Sequence, residues 1–227
     1  GLQVDMPTAL RIESRYLAKL MTGINARAMI NTFFFNMNAI KSGQSRPGTA
    51  PRFKPAKVGL LGAGMMGAGI AYANAARGLP SVLRDVSLEK AQAGRDYSRK
   101  LTDKQVQQGR MDAAKQAALL DLIHPTANVA DMAGCDLIIE AVFENRELKA
   151  QVTREAEAVM AAGGTFASNT STLPITGLAQ ASSRPAKFVG IHFFSPVDKM
   201  KLVEIIRGQN TDDESVARAY DYVLSIG

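Results

Sequence analysis

Several groups of residues have the types and spacing to do chemistry. In KVGLLGAGMMGAGIA, residues 57–71, Gly62, Gly64 and Gly67 follow an apolar run with the spacing G-x-G-x-x-G, and Gly69 adds a fourth glycine. Where a strand leads into a helix, Gly62 permits a tight turn and Gly64 lets a pyrophosphate approach the backbone. Gly67 lets the helix pack close to the strand. Met65 and Met66 fall at the start of that helix, where unpaired amides and the helix dipole favour an anion. The alternatives are a tight turn with no ligand, or a methyltransferase or flavin site with similar glycines. Asp85 closes SVLRD, eighteen residues past Gly67. A carboxylate there can accept both adenosine ribose hydroxyls and repel a 2′-phosphate, which favours NAD over NADP. Arg84 is close enough in sequence to host a phosphate, but it precedes the strand end and is expected on the other face.

His192, in GIHFFSPVDKM, lies near the end of a β-like run, and Glu204 follows twelve residues later within LVEII. In an open parallel sheet the carboxyl ends of the strands face the ligand crevice. A carboxylate among Leu, Val and Ile is costly to bury unless paired. If the two segments are neighbours, Glu204 orients the imidazole as a general base. The alternative is a structural histidine beside an edge-strand glutamate that faces water. In ASNTSTLPI the hydroxyls and amide of Ser168, Asn169, Thr170, Ser171 and Thr172 suit a substrate oxygen or a nicotinamide amide, or else form a polar turn that caps a helix. Glu140 and Glu144 flank AVF, and Glu144 with Asn145 can instead cap the next helix. His124 is expected to be an ordinary surface residue. No metal-ligand spacing and no G-x-S-x-G elbow is present.

The elements that must position these groups alternate. Residues 8–41 read as one helix, with apolar residues at three- and four-residue steps. A Gly/Ser/Pro-rich stretch follows and sets a boundary near residue 55. Strands are expected at KVGLL, SVLRD, DLIIEAV, TFASN, KFVGIHFF and KLVEII, and helices at 65–78, 87–108, 112–122, 145–162, 174–182 and 212–225. This order predicts an α/β fold: a Rossmann-type, doubly wound, mostly parallel sheet over residues 56–227, preceded by an N-terminal linker helix within residues 1–55.

Composition narrows the class. The chain has 227 residues and a net charge of +6. Residues 1–57 hold nine Lys/Arg against two Asp/Glu, and the remaining 170 hold eighteen against nineteen. The basic excess therefore lies outside the glycine-loop domain and forms no dense block, which argues against nucleic acid. No apolar run is long enough for a transmembrane segment, and no signal-peptide succession opens the chain. Cys135, the single cysteine, reads as a small buried residue in a reducing compartment. These signs favour a cytoplasmic location.

Taken together, GLLGAGMMGAGIA, DLIIEAVFEN, ASNTSTLPIT and GIHFFSPVDKMKLVEII resemble the NAD-binding domain of L-3-hydroxyacyl-CoA dehydrogenases. The preceding helix, with FFF, and SPV in place of the commoner NPV, resemble the alpha subunit of the multifunctional fatty-acid oxidation complex. The resemblance implies oxidation of the 3-hydroxyl of an acyl-CoA thioester, with hydride passing to NAD. It implies His192 as the proton acceptor and Glu204 as its electrostatic partner. Ser171 would contact substrate and cofactor, Glu144 and Lys149 would lie at the cofactor with Lys149 also near the CoA, and Asp85 would meet the ribose. Ser195 stands where many relatives carry asparagine. The resemblance further implies an enoyl-CoA hydratase domain before the linker helix, and a C-terminal helical domain beyond YVLSIG that supplies a catalytic asparagine and the dimer surface. A homo-oligomer, and a thiolase subunit as partner, belong to the same picture. On this basis the chain alone is expected to bind NAD and to turn over poorly. The alternatives are another NAD(P)-dependent hydroxyacid dehydrogenase, or a non-catalytic nucleotide-binding assembly module.

Overall fold

Short apolar runs flanked by helices become central parallel strands, because helices cover both faces of such a sheet. The computed structural model describes residues 3–227 and divides into two compact units, one ending at Arg46 and the other spanning Pro47–Gly227. In the first unit, α1 (Met6–Met21) carries Pro in its opening turn, where a missing amide hydrogen costs nothing. The helix expected over residues 8–41 is interrupted. Thr22 closes α1, Gly23 is extended, and α2 (Ile24–Ile30) starts afresh. A π-helical turn, Asn31–Asn36, then carries the three phenylalanines into α3 (Met37–Lys41). Periodicity continues across Gly23, so the sequence pattern alone hides the break.

The second unit runs β1 (Val58–Leu61), α4 (Met65–Ala76), β2 (Ser81–Arg84), α5 (Leu88–Gln107), α6 (Ala113–Asp121), β3 (Ile123–Thr126), β4 (Leu137–Glu140), α7 (Arg146–Glu157), β5 (Thr165–Ser168), α8 (Ile175–Leu178), β6 (Phe188–Phe193), β7 (Val203–Ile206) and α9 (Asp213–Ile226). The strands form one seven-stranded sheet in the order β3-β2-β1-β4-β5-β6-β7. All neighbours are parallel except β6 and β7. This is the expected α/β, Rossmann-type, doubly wound and mostly parallel architecture. The strand order reverses between β1 and β4, and that switch point is where such sheets open a ligand crevice.

One core layer joins Leu60, Ile70, Leu83, Ile139, Ile191 and Tyr222, and the other joins Leu61, Ile138, Val152, Phe166, Phe188 and Leu178. Phe166 and Phe188 stack across neighbouring strands with centroids 5.3 Å apart. Strand β3 was not expected. Its sequence IHPT carries a proline and faces water at His124, which an edge position tolerates. The stretch expected to be a linker is partly packed: the Arg52 guanidinium and the Phe53 amide both donate to Asp221 on α9, at 2.8 and 2.9 Å. In the second unit α5, α6, α7 and α9 open on side-chain caps from Ser87, Asp112, Asn145 and Asp212, whereas α4 opens on Gly64 with none.

Candidate active site

The turn from β1 into α4 is built on glycine for steric reasons. Gly62 has φ +95°, a conformation that side chains rarely adopt. A Cβ on Gly67 would lie 1.8 Å from the Gly62 carbonyl oxygen, so helix and strand meet as closely as backbones allow. A Cβ on Gly64 would meet nothing within 4 Å. The first turn of α4, with Met65 and Met66, therefore faces open space with no side chain capping its amides. Asp85, just past β2, accepts from the Ala63 amide at 2.7 Å and from the Val86 amide at 2.7 Å. Its carboxylate thus stands beside the glycine loop. Arg84 turns away to Glu155 on α7, at 3.2 Å.

A cleft of about 310 Å³ continues from this loop along the carboxyl ends of the strands. Met66 lines it from α4, Glu144 from the turn after β4, Ser171 from the turn after β5, and His192, Phe194 and Ser195 from β6 and the loop that follows. Because β7 runs antiparallel to β6, Glu204 falls directly opposite His192 in register. Glu204 Oε2 lies 2.9 Å from His192 Nδ1. A carboxylate can only accept, so Nδ1 holds the proton of this contact, and in the neutral imidazole that tautomer leaves the Nε2 lone pair free. The pairing does not arise from burial. The Glu204 side chain is 53% exposed on the edge strand, while that of His192 is 17% exposed, so the desolvation argument made from LVEII does not apply. Asn169 steadies the strand end by accepting the Phe193 amide at 2.8 Å.

Beneath the cleft floor lies a buried ionic hub. Lys149 Nζ sits 2.7 Å from Glu140 Oε1 and 3.1 Å from Glu144 Oε2, with its side chain 2% exposed. Glu140, 1% exposed, also accepts from the Val142 amide at 2.8 Å and the Ser168 hydroxyl at 2.7 Å. Glu144 collects the hydroxyl of Thr170 and the amides of Ser171 and Thr172. Burial works to raise the Glu144 pKa, but the Thr170 hydroxyl, the Lys149 ammonium and the Thr172 amide outweigh it and hold it at about 2. Glu144 is therefore an anion that fixes the Ser171 turn, and Asn145 alone caps α7. Lys149 reaches the cleft through Glu144 rather than presenting its own ammonium there. Cys135 is buried, and burial pushes its thiol up to about 11. Among the described residues no cluster of three metal-ligating side chains occurs, and no helix is long and apolar enough to cross a membrane.

The family model for the 3-hydroxyacyl-CoA dehydrogenase NAD binding domain matches residues 57–227. The chain belongs to this family. It is 36% identical to (S)-3-hydroxybutyryl-CoA dehydrogenase PaaH1 from Ralstonia eutropha, with a TM-score of 0.73 over 77% of this chain and 62% of that one. It is 31% identical to 3-hydroxybutyryl-CoA dehydrogenase from Escherichia coli K12, with a TM-score of 0.73 over 77% of this chain and 37% of that one. A 30% identical structure, with a TM-score of 0.66 over 77% of this chain and 56% of that one, is the 5-dehydrogenase of 5-formyl-3-hydroxy-2-methylpyridine 4-carboxylic acid, an NAD+-dependent dismutase. The chain spans less than two thirds of the length of each of these proteins.

NAD is the cofactor of this dehydrogenase family, and the residues present fit it. The open space at Gly64, the uncapped α4 terminus and the carboxylate beside the loop are the features a dinucleotide requires. The structure brings Met66, Glu144, Ser171 and His192 to one cleft, with Glu204 behind His192 and Lys149 beneath Glu144. The sequence marks Glu140 as one of two glutamates flanking AVF but does not show it as the hub that joins Lys149 and Ser168. The available signal was a glutamate inside DLIIEAV, where an unpaired charge would be prohibitive.

Proposed function

We propose that this chain is the cofactor-binding part of an NAD-dependent L-3-hydroxyacyl-CoA dehydrogenase that acts in fatty-acid β-oxidation. The observation that supports it most is the His192–Glu204 pair, 2.9 Å apart, at the wall of a cleft that continues to the glycine loop. The bound nicotinamide supplies the hydride acceptor. The turn at Gly62 and the close packing at Gly67 would set the first turn of α4, whose amides at Gly64, Met65 and Met66 would hold the pyrophosphate, and Asp85 would hold the ribose. His192 Nε2 takes the proton of the substrate hydroxyl, because a hydroxyl carbon releases hydride readily only as its proton leaves. Glu204 keeps the imidazole in the required tautomer and stabilises the charge it gains. Ser171, fixed by Glu144, donates to the substrate oxygen.

In this reading residues 1–55 form the link from an enoyl-CoA hydratase domain in a cytoplasmic, homo-oligomeric multifunctional protein that engages a thiolase subunit. A dehydrogenase acting on a free hydroxyacid is the second reading, favoured by the relative that acts on a pyridine carboxylic acid. In the complete enzyme, His192→Gln is expected to lower kcat by about 10²–10⁴-fold, the usual scale for a lost general base, while NADH affinity stays unchanged. Full activity would overturn the assigned base. Equal turnover of the thioester and of the free 3-hydroxyacid would favour the second reading.

A further inference from the structure

Gly69 is the glycine that the dinucleotide fingerprint does not use. It is buried in the second turn of α4, and a Cβ there would lie 2.9 Å from both Cβ and Cγ2 of Val197. Val197 belongs to the loop that follows His192 and connects β6 to β7. That loop is pinned at two further points. The Ser195 hydroxyl donates to Met65 Sδ at 3.4 Å, in the first turn of α4. Tyr97 on α5 donates to Asp198 Oδ1 at 3.1 Å. The loop is also braced within itself, because the Pro196 carbonyl accepts from the amides of Lys199 and Met200, both at 3.0 Å. One helix therefore presents the dinucleotide loop at its N-terminus and, one turn later, seats the strap that carries the His192 wall of the cleft.

We propose that Gly69 is a positioning residue: by letting Val197 sit directly on α4, it sets the spacing between the glycine loop and the wall formed by His192, Phe194 and Ser195. This rests on the reading of that loop as the NAD site. A methyl at position 69 leaves the glycine loop and Asp85 in place but lifts the strap, so it disturbs the nicotinamide end of the cleft and spares the adenosine end.

The test compares two ligands on this chain by titration calorimetry: NADH, which fills the whole cleft, and ADP-ribose, which lacks the nicotinamide. Gly69→Ala is expected to weaken NADH by about 5–100-fold, the overpacking scale of about 1–3 kcal/mol, and to leave ADP-ribose within about twofold. Combining Gly69→Ala with Val197→Gly removes the Val197 side chain that the new methyl meets and is expected to recover most of the NADH affinity. Tyr97→Phe, which removes only the hydrogen bond at the far end of the strap, is expected to weaken NADH slightly and ADP-ribose not at all; it decides the matter should Gly69→Ala fail to fold. Equal losses for both ligands, no loss for either, or no recovery in the double variant would each overturn the proposal. Failure of the unaltered chain to bind ADP-ribose would instead overturn the cofactor reading on which it rests.

Discussion

Among the described residues Lys149 is the one ammonium paired with Glu140 and Glu144, and the cost of Lys149→Met can be worked from their burial. The methionine fills the same channel, so packing changes little. Glu140, 1% exposed, loses its counter-charge but keeps the Ser168 hydroxyl and the Val142 amide. Breaking a buried ion pair by removing one partner costs about 3–5 kcal/mol, because an uncompensated charge remains. The expected loss at pH 7 is therefore about 3–5 kcal/mol. Urea unfolding followed by circular dichroism at pH 7 measures it. Lys149→Met with Glu140→Gln should recover part of the loss, since no buried charge is left at that site. A deficit below about 1 kcal/mol would refute the buried hub.

Glu144, held at about 2 against an ordinary 4.5, stabilises the fold fully above about pH 4.5 and loses that contribution as pH falls toward 2. Glu144→Gln should flatten acid unfolding in this window, read by circular dichroism. Gly67→Ala forces a methyl to 1.8 Å from the Gly62 carbonyl and should cost about 1–3 kcal/mol of stability, the scale of overpacking, together with NADH binding; normal binding in a stable variant would contradict the assigned approach of helix and strand. Cys135, buried and with its thiol pushed to about 11, should resist Ellman's reagent at pH 8 until the protein is unfolded in denaturant. Rapid native labelling would show that the second core layer opens.

The parts of the fold legible in the sequence were those where local and global demands agree. VGLL and LII are buried and read as continuous apolar runs, and Gly62 and Gly67 mark a turn that few other residues permit. Strand β3 was illegible because IHPT lies on an edge, where neither apolar continuity nor amide donation is required. The break at Gly23 was hidden because the apolar spacing carries across it. The pairing of His192 with Glu204 was open from the sequence only on the condition that their segments are neighbours, or through the resemblance, since their contact depends on β7 turning back antiparallel. The hub of Glu140, Lys149 and Ser168 joins residues from three elements, and no local pattern announces such a contact. Lys149, placed at the cofactor by resemblance, is buried beneath Glu144 and pairs with it at 3.1 Å.

The choice of cofactor is the central property of this site. Titration of this chain with NADH and with NADPH, followed by cofactor fluorescence in a protein without tryptophan, measures it. NADH should bind and NADPH should bind at least about tenfold more weakly, a difference of about 1.4 kcal/mol, because a carboxylate beside the glycine loop, at Asp85, would repel a 2′-phosphate. Preference for NADPH, or binding of neither, would contradict the assignment of the glycine loop and Asp85 as an NAD site.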